Sequence, residues 1–416
     1  MHNHVIVVGG GAAGLVAAIA AAREGSHVTI LEHNDRVGKK ILVTGNGKCN
    51  MTNQNMGSEY YRSNNPGFVE QVLWKIPSET ILRFFEELGI RTVDKNGYVY
   101  PASGQASSVL DVLRMELSYH NVVVETNVHV DEIRKIKDKI QVKVVCGEGK
   151  EKKYYEADSV ILACGSLAGN HTGNDGSGYE LARKMGHHIY KPLPALVQLR
   201  SKGDFLKQWA GVRVDGAVSI WIDGECIAKD RGEIQLTDYG ISGIPVFQVS
   251  RFVSEALERK KQVLARLDFF PDMNRHGLYR YLEKRFEDCP YKSLDDMMVG
   301  LLNKKLSSVL VKEAQMDGKR NWSSFSKVEK NRFCEMLDDF TLPIYGTNSF
   351  AQAQVCMGGV DTKEINGKTM ESQKMSGVYF AGEMIDVDGI CGGYNLHFAW
   401  ATGLIAGKHA GGKNKI

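Results

Sequence analysis

The sequence predicts an α/β fold in which a parallel-sheet domain is interrupted by an inserted β-rich and helical segment, and three observations carry that expectation. An apolar strand, Val5 to Val8, runs directly into Gly9-Gly10-Gly11-Ala12-Ala13-Gly14 and then into an alanine-rich helix reaching about Arg23. Apolar runs of the kind buried in parallel sheets recur at Val160–Leu162 and at Val378–Phe380, each followed by small residues. Between them, from about Pro192, the pattern changes to short strands and amphipathic helices.

Composition agrees with such a chain. At 416 residues and roughly 150 residues per domain, two to three folding units are expected. The 43% hydrophobic and 24% charged content excludes a disordered, collagen-like or coiled-coil chain. A net charge of +3 gives no global field toward nucleic acid or membrane, so neither is expected as a partner. The 44 glycines against 9 prolines are the one skew, and they suit a backbone that must approach a ligand closely. Eight cysteines include no CxxC and no histidine-paired spacing, so no metal site or disulfide framework is signalled and a reducing cytoplasm is expected. The uncharged stretch Val5 to Ala22 could pass for a signal peptide or span, but Gly9 to Gly11 interrupt it and Met1 to His4 lack the basic residues of a leader.

The strand, the glycines and the helix form GxGxxG in its required setting. Gly9 allows the tight turn, Gly11 admits a pyrophosphate, Gly14 lets helix and strand close, and Ala12 and Ala13 offer amides at a helix N-terminus. A second strand, His27 to Leu31, ends in Glu32, 18 residues beyond Gly14 and close to the ~20 at which a carboxylate meets a ribose diol. A carboxylate there would repel a ribose phosphate, so FAD or NAD fits and NADP does not. The long polar loop that follows, from Val37 through Lys39, Lys40, Thr44, Gly45 and Asn50 to Asn53, favours FAD, whose ribityl chain and isoalloxazine need a longer track. The segment Ala157–Gly165 reads as a buried strand ending in small residues, Ala163 and Gly165 among them, and Gly377–Glu383 as a strand delivering Gly382 and Glu383 at its C-terminal end, where open α/β sheets bind ligands. Gly392-Gly393 then open an apolar helix through Tyr394, Asn395 and Leu396, whose N-terminus would favour negative charge on a reduced flavin.

These segments resemble the aminoacetone-oxidase-like bacterial family of FAD-binding, NAD(P)/FAD-dependent oxidoreductases, which includes a 3-dehydro-bile acid reductase. The resemblance rests on GGGAAGL at 9–15, KKILVTGNGKCNMTN at 39–53, GYVYPASGQASSVLDVL at 97–113, TGNDGSGYELARKMGH at 172–187, GEIQLTDYGISGIPVFQVS at 232–250, AQVCMGGVDTKEI at 353–365 and GVYFAGEMIDVDGICGGYNLHFAWATG at 377–403. It implies a Rossmann-type FAD-binding domain split by a β-rich, barrel-like plus helical insert. The FAD contacts to be expected are Gly9, Gly11, Ala12, Ala13, Gly14, Glu32, Lys39, Lys40, Thr44, Gly45, Asn50, Val128, Ala163, Gly165, Gly382, Glu383, Gly393, Tyr394, Asn395 and Leu396. Two positions depart from the family: Lys48 stands where arginine is usual, and His397-Phe398 where glutamine-tryptophan is usual. Lysine cannot form arginine's bidentate fork.

The expected division is 1–192 and 345–416 for the FAD-binding domain and 193–344 for the insert. Within the insert, Leu196–Leu199, Ala217–Ile222 and Glu233–Leu236 read as strands, Asp223-Gly224 as a hairpin turn, and Gly277–Cys289 and Lys327–Leu337 as helices. The basic run Arg134–Lys153 reads as an exposed sheet face, and Lys413–Ile416 as a frayed tail. The leading function is hydride transfer between a small organic substrate and flavin N5 in a groove between domain and insert, with Tyr394 and His397 as acid/base candidates ahead of Tyr98 and Tyr100. An apolar helix equally accounts for His397 as a core histidine. A single GxGxxG leaves no second standing nucleotide domain, so NAD(P)H would be a transient reductant. An NAD(P)H-driven reductase of a conjugated ketone is favoured. An oxidase of an amine or alcohol, an FAD-dependent RNA-modifying protein and a flavin-binding sensor without turnover are the alternatives.

Overall fold

The computed structural model describes residues 3–146 and 151–412. The expected tail Lys413–Ile416, the Met1-His2 pair of the leader argument and part of the basic run lie outside those residues. The chain divides into two compact units, residues 1–193 with 354–416, and residues 194–353.

The first unit is organised by five parallel strands, among the described residues, in the order Val378–Phe380, Ser159–Leu162, β1 (His4–Val8), β2 (His27–Leu31), Val123–Glu125. Val5 to Val8 pair in register with Ser159 to Leu162 on one side and with Val28 to Leu31 on the other. Val5 to Val8 and Val160 to Leu162 are all buried, so both faces of these strands are covered, and that is why they are continuously apolar instead of alternating. Helix α1 (Ala12–Arg23) follows β1, and helix α2 (Tyr394–Gly411) lies against α1. Their contact is unusually close: a Cβ on Gly403 would lie 2.5 Å from the Ala13 carbonyl oxygen and one on Gly407 2.2 Å from that of Ala17. Three glycines four residues apart, Gly403, Gly407 and Gly411, thus face Ala13, Ala17 and Ala21. These three glycines let two helix backbones touch. The described part of the basic run lies in an antiparallel three-stranded sheet, Val128–Ile136, Lys139–Cys146 and Glu151–Ala157, with Val130, Ile133, Ile140, Val142 and Val144 buried and Lys135, Lys139, Lys152 and Lys153 exposed.

The second unit contains a closed barrel of six antiparallel strands, among the described residues: Leu199–Ser201, Gly240–Ser242, Glu225–Leu236, Arg213–Ile222, Val263–Asp268 and Phe340–Thr347. The Asp223-Gly224 turn is present, with both residues at positive φ as a tight hairpin requires. The expected strand Leu196–Leu199 is not continuous. Leu196 sits at φ +49°, turning the chain between strands Ile189–Ala195 and Leu199–Ser201. Strand Phe340–Thr347, which straddles position 344, pairs with both Leu199–Ser201 and Val263–Asp268 and closes the barrel. Helices Arg275–Asp288 and Lys327–Asp338 pack Leu278, Leu282, Phe286, Phe333 and Leu337 into the core of this unit.

Candidate functional site

At the end of β1 the glycines fall into two kinds. Gly9 takes φ +100°, and a Cβ there would lie 2.5 Å from the Ala163 carbonyl oxygen; one on Gly14 would lie 1.9 Å from that of Gly9. These positions are closed by the protein itself. At Gly11, which caps α1 without a side chain, a Cβ would meet nothing within 4 Å. The first amides of α1, on Ala12 and Ala13, therefore open onto free space with the positive end of the helix dipole behind them. That is the geometry a dinucleotide pyrophosphate needs, and the residues fit FAD.

Glu32, at the end of β2 and 5% exposed, is held from two sides. Its Oε2 accepts from the Gly10 amide at 2.6 Å, and its Oε1 from the Asn34 amide and side chain at 2.8 and 2.7 Å. Three donors leave an ionised carboxylate room to accept one more, from a ribose hydroxyl. Val128 enters through its backbone, donating to the Glu32 carbonyl at 3.0 Å, and so supports the acid more than it faces a ligand. Ala163 donates to Val8 O at 2.9 Å, and Gly165 takes φ +74° beside Asn174, so both shape the strand ends next to the glycine loop.

The two lysines of the polar loop have different partners. Lys39 pairs with Asp35 at 2.5 Å, a hydrogen bond that holds the Asp35 carboxyl below its usual range. Lys40 reaches across to Glu383 at 2.5 Å, where Ser166 also donates at 3.3 Å. The Lys40–Glu383 pair ties the loop to the turn after strand Val378–Phe380, where the Gly382 amide donates to Thr402 of α2 at 2.9 Å. Thr44 caps its own turn by donating to Ile41 O at 2.6 Å, and Gly45, Asn46 and Cys49 all adopt positive φ. With its amide turned to satisfy both ends, Asn50 accepts from the Gly393 amide at 3.2 Å and donates to Thr52 O and Val99 O. The loop of residues 44–53 and the turn before α2 are thus joined, although more than 300 residues separate them.

Several expected roles change. The Asn395 side chain turns back on its own loop, accepting from Gly389 N at 2.8 Å and donating to Gly389 O at 2.7 Å, and so locks the turn. Leu396 packs half-buried against the core of the first unit. Tyr394 is 4% exposed, its hydroxyl donates to Asn55 O at 3.0 Å, and burial pushes its phenol up to about 12. His397 is fully buried between Thr52 Oγ at 2.9 Å and Ile76 O at 3.1 Å. A carbonyl can only accept, so Nε2 carries the hydrogen and Nδ1 accepts from Thr52. Burial pulls its pKa down to about 4. Both acid/base candidates on α2 are therefore structural groups with committed hydrogens. Burial also pushes the thiols of Cys49 and Cys164 up to about 12, which keeps them as thiols.

The other two tyrosines are placed differently. Strands Thr92–Lys95 and Tyr98–Pro101 form a hairpin in which Val93 faces Tyr100 and Lys95 faces Tyr98, so these four side chains share one side of it. Neither the Tyr98 nor the Tyr100 hydroxyl is in a hydrogen bond among the described residues. Tyr98 lies against Gly392, where a Cβ would be 2.8 Å from its ring, and Tyr100 lies near Gly45, at 3.7 Å. Asn53, opposite Tyr98 on the next strand, donates to Gly392 O at 2.9 Å. The signal for this hairpin was present in the sequence: Asn96-Gly97, both at positive φ, is the dipeptide that tight hairpin turns prefer.

The family model described as the HI0933-like protein Rossmann domain matches residues 3–409. The chain is 42% identical over 412 residues, 98% of its length and 99% of the relative's, to a 3-dehydro-bile acid delta(4,6)-reductase from Clostridium scindens. It is 29% identical over 406 residues, 96% of each chain, to a ribosomal RNA dihydrouridine synthase from Haemophilus influenzae. Among solved structures, a 3-ketosteroid delta1-dehydrogenase from Sterolibacterium denitrificans shares the fold with a TM-score of 0.52 at 13% identity, covering 98% of this chain and 99% of that one. The glycine cradle, the acid on the second strand and a full-length family match lead to one conclusion: the chain belongs to the HI0933-like Rossmann family and is an FAD-dependent oxidoreductase.

Proposed function

We propose that this chain is a reductase of carbon–carbon double bonds conjugated to a carbonyl, driven by a nicotinamide nucleotide that docks transiently. The carrying observation is the 42% identity, over almost the whole chain, with a protein named for delta(4,6) reduction of a 3-dehydro-bile acid. The name of the second relative implies the same bond change, because dihydrouridine is uridine with the double bond beside a carbonyl saturated. When bound, FAD supplies hydride transfer at N5. The chain's own share is binding and orientation. The amides of Ala12 and Ala13 would hold the pyrophosphate, Glu32 the ribose, and the Gly393 start of α2 the pyrimidine end of the flavin. Of the four aromatic candidates, Tyr98 and Tyr100 keep hydroxyls able to hold a proton for the substrate carbon, since those of Tyr394 and the nitrogens of His397 are committed.

The test is anaerobic. NADH, then NADPH, is added to the purified protein and the flavin absorption followed, and benzylideneacetone is then added as a conjugated ketone. Bleaching followed by recovery of the oxidised spectrum is expected. A flavin that ignores both nucleotides but is bleached by an amine or alcohol, with oxygen uptake in air, would make the protein an oxidase. The dihydrouridine synthase relative favours one second reading, an RNA-modifying enzyme. Net charge alone does not separate the two, and formation of dihydrouridine in ribosomal RNA by the reduced protein would move the assignment there.

A further inference from the structure

We propose that the cleft on the hairpin Thr92–Pro101 is the acceptor site and selects a flat ligand bearing an anionic group, with the anion on Lys48 and Lys95 and the plane along Tyr98 and Tyr100. The inference rests on the reductase reading above and adds to it a substrate class.

Four observations support it. The first is register: the pairing of Val93 with Tyr100 and Lys95 with Tyr98 makes one continuous wall of two phenol rings, an ammonium and an isopropyl group. The second is a cleft of suitable size. Lys48, Val93, Lys95, Tyr98, Tyr100 and Pro101 line a cleft of about 280 Å³, just below the ~300–1,000 Å³ typical of small-molecule sites and enough for one or two rings. The third is charge. The cleft is lined by two lysines and no acid, and neither lysine is in an ion pair among the described residues. Asp94 points to the other side of the strand, where its carboxylate accepts from the Gly97 amide at 3.1 Å. Lys95 instead sits 5.8 Å from the centre of the Tyr100 ring, over its face. Two uncompensated ammonium groups beside two π-faces match a planar molecule with a carboxylate or phosphate, and they disfavour a cationic amine.

The fourth is position. The same wall abuts both turns that would hold the flavin, Tyr98 at Gly392 and Tyr100 at Gly45. A ligand lying on it would therefore adjoin the two turns expected to hold the flavin. Lys48, the position where arginine is usual in the family, supplies a point charge on a flexible stem instead of a fixed fork. Such a cation tolerates an anion at varied distances from the reacting bond.

The experiment is equilibrium dialysis of the full-length, FAD-loaded protein against benzylideneacetone and its para-carboxylate, at low and high salt, with the flavin spectrum recorded on the same sample. The carboxylate should bind more tightly than the neutral ketone. In the double variant Lys48→Gln, Lys95→Gln its affinity should fall about 10-fold, the neutral ketone should change less than about 2-fold, and the wild-type preference should shrink with salt. Both lysines are exposed, so the variant should fold and keep its flavin spectrum. Equal binding of the two probes to the wild type, or a preference that survives in the double variant, would overturn the proposal. Dialysis needs no turnover, so a preference for the carboxylate without any reduction of the ketone would sink the reductase reading and leave the anion site standing.

Discussion

Helix starts differ between the two units: four of the six α-helices described in the second unit are capped by a side chain and none in the first is, the second unit's exceptions being Leu206–Trp209 and Ile244–Glu258, the latter starting at Gly243. In the second unit, helices Arg275–Asp288, Leu294–Met298, Lys304–Glu313 and Lys327–Asp338 are capped by the side chains of Asn274, Ser293, Asn303 and Ser326, two of them in full capping boxes. In the first unit no α-helix among the described residues has a side-chain cap, and the two that flank the proposed cofactor site begin at bare glycines, Gly11 and Gly393. A helix end closed by its own side chain is stabilised and chemically finished. One left open keeps its donors for something else. Polar groups are likewise arranged around this site, with the buried Glu32, Thr52 and His397 and the half-buried Asn50 each bonded to the loops that shape it.

That contrast can be broken most forcefully at Gly14. Gly14→Ala places a Cβ 1.9 Å from the Gly9 carbonyl oxygen, and should weaken FAD binding about 100-fold, equivalent to about 3 kcal/mol, as read by flavin fluorescence during titration. An FAD affinity unchanged by that substitution would mean the glycine loop does not hold the cofactor.

The next effect is a pH dependence. Burial lowers the folded pKa of His397 from 6.5 to about 4, so the unfolded chain binds a proton that the folded chain refuses. The stability contributed by the neutral ring is complete above pH 6.5 and is lost as pH falls toward 4, by roughly 3 kcal/mol. Denaturant midpoints measured across that window should fall, and His397→Gln should flatten the slope. If His397 were instead a proton donor to substrate, the variant would change the pH profile of kcat and leave the stability slope in place.

A smaller effect is expected at the helix contact, where Gly407→Ala puts a methyl 2.2 Å from the Ala17 carbonyl oxygen. The cost should be about 1–3 kcal/mol, visible as a lower Tm with FAD still bound at low temperature. Smallest is Ser326→Ala in the second unit, which should remove about 1 kcal/mol of stability and leave FAD affinity untouched. A change in flavin affinity there would contradict the separation of roles between the units.

How much of this was legible in the sequence depended on distance along the chain. β1, the glycine loop, α1, β2 and Glu32 are consecutive, and their pattern carries its own geometry, so both fold and cradle could be read from residues 5–32. The stripe Gly403, Gly407, Gly411 was present as letters, but its meaning depends on Ala13, Ala17 and Ala21 near the other end of the chain. The committed states of Tyr394 and His397 were hidden for the same reason: their partners, Asn55, Thr52 and Ile76, lie more than 300 residues away. Barrel closure rests on strand Leu199–Ser201, too short to show a period. The cleft between Lys48 and the hairpin needed a register, which Asn96-Gly97 encodes only once the pairing of the strands is known.

The central claim, that open helix ends and the glycine cradle in the first unit exist to hold a flavin, is tested most directly by titrating flavin-free, full-length protein with FAD and following flavin fluorescence. Saturation at one FAD per chain, with no competition from NADP, is the predicted result. Absence of saturable FAD binding by the folded chain would contradict the account.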